Sequence, residues 1–160
     1  MADCIFCKIV AGEIPSHKFW EDEKHVAFLS SRPNTPGFSV VATKEHLPSY
    51  AFDNSDEVLS GLIIATKKAA KILDSTFEDV GRCGMFFEGF GVDHLHSKLF
   101  PMHGTADMKN WKAIESGSKM KTFFENYPGY LSSHDSNRAD DKELAGLAGK
   151  LRGVTKRLKL

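Results

Sequence analysis

Two imidazoles and an ammonium stand at alternate positions in the segment GVDHLHSKLFPMHG, residues 91–104: His94, His96 and Lys98. In a strand, alternation puts all three on one face with Phe100, and Leu95, Ser97 and Leu99 on the other. Side chains two residues apart then sit roughly 6.5–7 Å from one another, close enough to converge on one small group. An imidazole that is largely uncharged near neutral pH can attack phosphorus, and its phosphorus adduct is labile enough for water to complete the reaction. A cation one strand-step away would stabilise charge building on the phosphate oxygens. His96 and Lys98 meet both requirements. The same residues also suit a plainer reading, hydrogen-bonded structural histidines beside a solvated lysine, and spacing alone does not separate the two.

A second constellation opens the chain. Cys4 and Cys7 form a C-x-x-C pair, and Cys83 is the third cysteine. Tetrahedral zinc takes two thiolates and then needs two more nitrogen or sulfur ligands. The histidines that could supply them are His17, His25, His46, His94, His96, His103 and His134, and spacing does not choose among them. A redox pair and two unrelated cysteines are the alternatives. The redox reading is the weaker one, because the pair opens the chain instead of following a first strand. Cys83, within the apolar CGMFF, reads as a buried small hydrophobe.

Positioning these groups needs a scaffold, and the chain supplies its signals. HKFWED and HVAFLS, joined by a polar turn, suggest a hairpin; RPNTPG is dense in turn formers, and FSVVAT is a β-branched run. The N-terminal third therefore reads as short strands and turns. Asn54 followed by Glu57 fits a capping box. Val58, Leu59, Leu62, Ile63, Thr66, Ala69, Ala70 and Leu73 then recur at helical steps, with Lys67, Lys68 and Lys71 as a solvated face. Strands return at CGMFFEG and HLHSKLF. Beyond residue 107 the chain is polar, until a last helix is expected near Asp140 or Asp141 with the stripe Leu144, Leu147, Leu151, Val154 and Leu158.

The size, 160 residues, suits one domain with its own core. Lys+Arg and Asp+Glu both number 21, so charge points to neither a nucleic-acid polymer nor a membrane. No apolar run has the length of a membrane span, and MADCIFCKIV lacks the layout of a signal peptide. A cytoplasmic or similarly reducing compartment is the expectation, which the unpaired cysteine count supports.

Taken in order, CIFCKIVAGEIPS, the hairpin, GFSVVATKEHL, the long helix and VDHLHSKLFP resemble the histidine triad (HIT) superfamily, over residues 4 to about 104. The family signature His-φ-His-φ-His-φ-φ aligns with His94-Leu95-His96-Ser97-Lys98-Leu99-Phe100, and Pro101 follows in register. The resemblance implies an α+β fold, an antiparallel β-sheet with a long packed helix, over residues 1–106. Residues 107–160 would be an extension packed on the same domain and ending in a helix. It also implies a homodimer and a nucleotide-like small-molecule substrate. His96 takes the place of the nucleophile, so the implied activity is a phosphohydrolase or nucleotidyl transfer at the α-phosphate through a covalent nucleotidyl-histidine. In zinc-bearing branches the matching positions are Cys4, Cys7, His46 and His94, a structural zinc site.

The departures bear on activity. The third histidine is Lys98, and Ser97 replaces an apolar residue. Gly89-Phe90-Gly91-Val92 stands where the family has a GQSV-like segment, and family Asn, His and Asp positions map to Phe87, Phe38 and Ser30. Lys98 would bind a phosphate oxygen or protonate the leaving group, with Ser30 and backbone amides near Gly91 and Ser97 in the substrate site. His103 would serve as a substitute proton donor or be a surface loop histidine. The competing expectation is a catalytically weak, zinc-stabilised nucleotide- or phosphate-binding module.

Overall fold

In the computed structural model the structure describes residues 3–110, 122–132, 137, 140–142 and 145. The first element is a helix where turns and strands were expected: α1, Ile5–Ala11, ended by Gly12 at φ 79°. Seven residues are too few for a helix that stands alone in water. Tertiary packing holds it, since Phe6 and Ile9 lie one turn apart and are buried against Val26, Phe28, Val40 and Ala42. The C-x-x-C pair therefore sits on a helix start, with Cys4 at its N-cap.

The hairpin forms as expected from β1, Lys18–Glu21, and β2, His25–Leu29, and FSVVAT supplies β3, Ser39–Thr43. Helix α2, Asp56–Thr76, leads to β4, Val80–Phe86, and β5, His96–His103. The sheet order is β1-β2-β3-β5-β4 and every pair is antiparallel. The last strand thus enters between β3 and β4. Its alternation divides the core in two. Leu95 and Leu99 join Ala27 and Val41 under Leu62, Ala65, Ala69 and Leu73 of α2. His96 and Lys98 pair with Ala42 and Val40 and so share the opposite face, the one that α1 covers in part.

Helix α2 starts one residue later than the capping box suggests. Ser55 is the N-cap and its Oγ accepts from the Val58 amide. Asn54 is committed elsewhere, donating to the carbonyls of Pro48 and Tyr50 across the 3-10 turn Ala51–Asp53. Of the expected stripe, Leu62, Thr66, Ala69 and Leu73 are buried, Ala65 joins them, and Ile63 is exposed.

The chain divides into two compact units, Met1–Lys112 and Ala113–Leu160. In the second, the rings of Phe124 and Tyr130 meet edge to face at 5.8 Å. Asp141, Lys142 and Ala145 are helical, and the Asp140 carboxylate accepts from the Lys142 amide at 2.9 Å. The leucine and valine stripe expected from Leu144 onward lies outside the described residues. Among the described residues, no helix is long and apolar enough to cross a membrane.

Candidate active site

Four of the expected ligand residues converge. The ligand atoms of Cys4, Cys7, His46 and His94 all lie within 4.8 Å of one another. Cys4 Sγ is 3.3 Å from His94 Nδ1, Cys7 Sγ is 3.4 Å from His46 Nδ1 and 3.5 Å from His94 Nδ1. With Zn–S near 2.3 Å and Zn–N near 2.0–2.1 Å, a tetrahedral centre sets sulfur and nitrogen about 3.5 Å apart, so the donor set fits a closed zinc site. The outer contacts fit as well. His94 Nε2–H donates to the Thr43 carbonyl at 2.7 Å, which fixes the tautomer and leaves Nδ1 with a lone pair toward the thiols. The helix start brings the cysteines, the segment after β3 brings His46, and the approach to β5 brings His94.

Two residues further, His96 shows the reverse tautomer. Its Nδ1 lies 2.7 Å from the His94 carbonyl, and a carbonyl only accepts, so Nδ1 carries the proton and Nε2 the lone pair. The residue is 3% exposed, with its ring edge-on to Phe6 at 5.1 Å. Its Nε2 has no hydrogen-bond partner among the described residues, where Ser16 Oγ is the one buried polar side-chain atom left without one. Burial holds this imidazole below the usual histidine range; the bond to the His94 carbonyl opposes that, and the Lys98 ammonium adds to the depression. The result is an oriented imidazole with its lone pair on Nε2, the form in which a histidine can act as a nucleophile.

Lys98 stands beside it but is not a solitary cation. Its Nζ pairs with Glu88 Oε2, and the two side chains are 27% and 11% exposed. The partner follows from register: Phe86 of β4 lies opposite Lys98 of β5, and Glu88 is two residues on. Glu88 was not among the residues singled out from sequence. Phe38, one of the departures, closes edge to face with Phe100 at 6.3 Å, whereas Phe87 packs against the core under α2.

Residues 11–105 match the HIT domain family model. The chain belongs to the HIT domain family. The protein named "Protein hit" of Bacillus subtilis (strain 168) is 35% identical over 109 residues, 66% of this chain and 74% of that one. Adenosine 5'-monophosphoramidase hnt1 of Schizosaccharomyces pombe is 34% identical over 102 residues, 61% of this chain and 73% of its own. A solved member of the HIT family from Bacillus subtilis superposes with a TM-score of 0.63 at 28% identity, covering 94% of this chain and 96% of that one.

The remaining residues of this HIT domain fall in different surroundings. Ser97 points to α2, not to the His96 face: its hydroxyl lies 2.6 Å from Thr66 Oγ1. Thr66 spends its own proton on the Leu62 carbonyl, so Ser97 is the donor. Only its backbone remains for a substrate. Ser97→Ala should cost about 1–2 kcal/mol by leaving Thr66 short of a partner, with KM unchanged. Combining it with Thr66→Val should cost less than the sum, read by urea unfolding of the four proteins of the cycle.

His103 is also turned away. Strand β5 continues through Pro101, so a seven-residue separation puts His103 on the face opposite His96. Its Nε2 lies 3.0 Å from the Pro36 carbonyl and its Nδ1 3.0 Å from Asp79 Oδ1. With both nitrogens facing acceptors it is no proton donor for the His96 face. The Pro36 carbonyl first, then the Asp79 carboxylate, raise its pKa, and the bond to His103 lowers that of Asp79. The histidine's contribution to stability is therefore full below the ordinary histidine pKa and is lost as pH rises through the raised folded value. That of Asp79 is lost as pH falls through its depressed value. An NMR titration should find His103 above the ordinary range, and Asp79→Asn should bring it back down.

Ser30 Oγ accepts from the Arg32 amide at 3.2 Å, and the Ser30 amide donates to the Phe38 carbonyl. Gly91, at φ 96°, lines a cavity of about 380 Å³ with Cys4, His46 and Asp93, on the side of the metal ligands. Cys83, half-buried, is driven up to about 12 by burial and then by the Asp74 carboxylate its thiol faces.

Proposed function

We propose that this HIT domain is a hydrolase that transfers a nucleoside monophosphate group from a nucleotide-like substrate to water by way of His96. The observation that carries the reading is the tautomer of His96: Nδ1–H is spent on the His94 carbonyl, so the Nε2 lone pair is aimed outward. Nε2 attacks the α-phosphorus, the leaving group departs, and water then breaks the P–N bond of the nucleotidyl-histidine. Lys98 contributes an N–H donor to the phosphate oxygens while another stays on Glu88, which its three donors permit. The name of the fission-yeast relative, adenosine 5'-monophosphoramidase, supports a nucleoside monophosphate as the group transferred.

Cys4, Cys7, His46 and His94 would hold zinc, which when bound supplies a structural cross-link between the N-terminus and the catalytic strand. The reaction itself runs on the protein's side chains. We take residues 1–106 as the working domain and 107–160 as an extension, and the functional unit as a homodimer in a reducing, cytoplasmic setting. Light scattering would give twice 17.8 kDa for that dimer, and a monomer mass would exclude it.

The test is a panel of nucleoside phosphoramidates, acyl nucleotides and dinucleoside polyphosphates, with products separated by chromatography. Turnover with a trapped, acid-labile nucleotidyl-protein adduct supports the hydrolase. Saturable nucleotide binding without turnover or adduct, in folded zinc-loaded protein, would replace it with a binding module. The pairing of Lys98 with Glu88, which cancels its charge, is the feature that favours that second reading.

A further inference from the structure

We propose that the cavity between helix α2 and the end of the β2–β3 ladder is a second small-molecule site, one that takes an apolar ring carrying a hydroxyl. The inference goes beyond the hydrolase reading and does not depend on it.

The cavity holds about 590 Å³, within the range of small-molecule sites. His25 and Thr43 line it and stand opposite each other at the ends of β2 and β3. Two residues from Ala27 and Val41, they continue the sheet face that α2 covers. His96 and Lys98 lie on the other face, so this is not the site of the candidate nucleophile.

His25 supplies the polar group that marks the cavity. Its side chain is 9% exposed. Nδ1 lies 3.0 Å from Asp22 Oδ1, a carboxylate oxygen that also accepts from the Lys24 and His25 amides. That contact orients the ring, and Nε2 has no hydrogen-bond partner among the described residues. A polar atom of a buried ring is costly to cover with apolar surface alone. A hydroxyl both donates and accepts, so it pairs with Nε2 in either protonation state of the ring.

Gly61 keeps the way to that atom open. A methyl at this position would stand 3.6 Å from His25 Cε1 and 3.7 Å from Nε2, ordinary contact distances, and would cover that edge of the ring. Glycine inside a helix is less stable than alanine. Packing does not require it here, whereas access to Nε2 does. The rest of the lining sets the rest of the ligand. Leu47, Val58 and Ile64 offer apolar surface. Both lysines of the lining already face carboxylates, Lys24 that of Glu57 at 3.9 Å and Lys44 that of Glu21 at 3.1 Å, and Glu23 and Glu45 add negative charge. A neutral hydroxyl suits this rim better than a carboxylate.

The pair 2-naphthol and 2-naphthoate tests this, since the two share a ring system and differ in the group it carries. Each is titrated into the full-length protein and followed by amide and imidazole NMR. Saturating shifts centred on His25, Val58 and Gly61 are expected with 2-naphthol. The naphthoate should bind about tenfold more weakly or worse, the scale of one hydrogen bond. Gly61→Ala should weaken 2-naphthol binding by about the same factor while Tm stays level or rises, which separates loss of the site from loss of the fold. Shifts centred instead on Lys98 and Phe100 would place the ligand on the His96 face and overturn the inference. So would equal affinity for the naphthoate, undiminished binding to Gly61→Ala, or no saturable shift with 2-naphthol.

Discussion

His96→Ala should abolish turnover, by on the order of 10⁴–10⁶-fold in kcat, the scale on which losing a covalent nucleophile acts, and no nucleotidyl adduct should form. The expectation rests on position as much as on residue type. His96 is the imidazole of β5 whose Nδ1–H is tied to the preceding backbone and whose Nε2 has no partner among the described residues. Alanine also empties the space against Phe6, so a loss of activity could come from a loosened α1. His96→Asn separates the two causes. Its amide N–H falls near the place of Nδ1–H and can keep the bond to the His94 carbonyl, but it offers no nucleophile. A folded, thermally near-normal asparagine variant without adduct or turnover assigns the chemistry to Nε2. Residual turnover above a tenth of normal in either variant would mean that the phosphorus never bonds to this nitrogen.

Much of the scaffold for that nitrogen was legible because strand alternation and helical stripes are local patterns. The hairpin, β3, the helix stripe and the shared face of His96 and Lys98 all follow from spacing, and so does the gathering of Cys4, Cys7, His46 and His94 once the resemblance is admitted. What escaped was set by tertiary contacts. Helix α1 is too short for its own periodicity to announce it and exists because Phe6 and Ile9 find the sheet. Asn54 loses the cap to Ser55 because two carbonyls of the preceding turn claim its amide. Glu88 pairs with Lys98 only because β5 inserts beside β4 in a register that no local signal specifies. His103 was within reach of the sequence: an odd separation from His96 puts it on the other face if the strand continues. The strand does continue through Pro101, which sits opposite Cys83 at an irregular stretch of the β4–β5 pairing, where a missing N–H is tolerated.

If zinc occupies this site, removing it should cost this protein about as much stability as a large core truncation. Zinc at a thousandfold over its Kd stabilises a folded state that alone can bind it by about 4 kcal/mol, which corresponds to roughly 8–16 °C in Tm for a chain of this size. The expected result is a fall of that order on chelation, reproduced by Cys7→Ser and insensitive to chelator in that variant. The loss should be local at first. Cys4 and Cys7 tether α1, and α1 carries Phe6, whose ring stands edge-on to both His94 at 5.8 Å and His96 at 5.1 Å. Freed of its ligands, α1 has only two buried side chains to hold it, so amide exchange should rise along Ile5–Ala11 before the sheet opens. Thiol titration gives an independent reading. Metal-loaded protein should show no fast thiol, and chelation should release two, Cys4 and Cys7, while Cys83, raised to about 12, stays slow. Two fast thiols in the untreated protein, or a chelator without effect on Tm, would rule out zinc as the tether and return the C-x-x-C pair to its redox alternative.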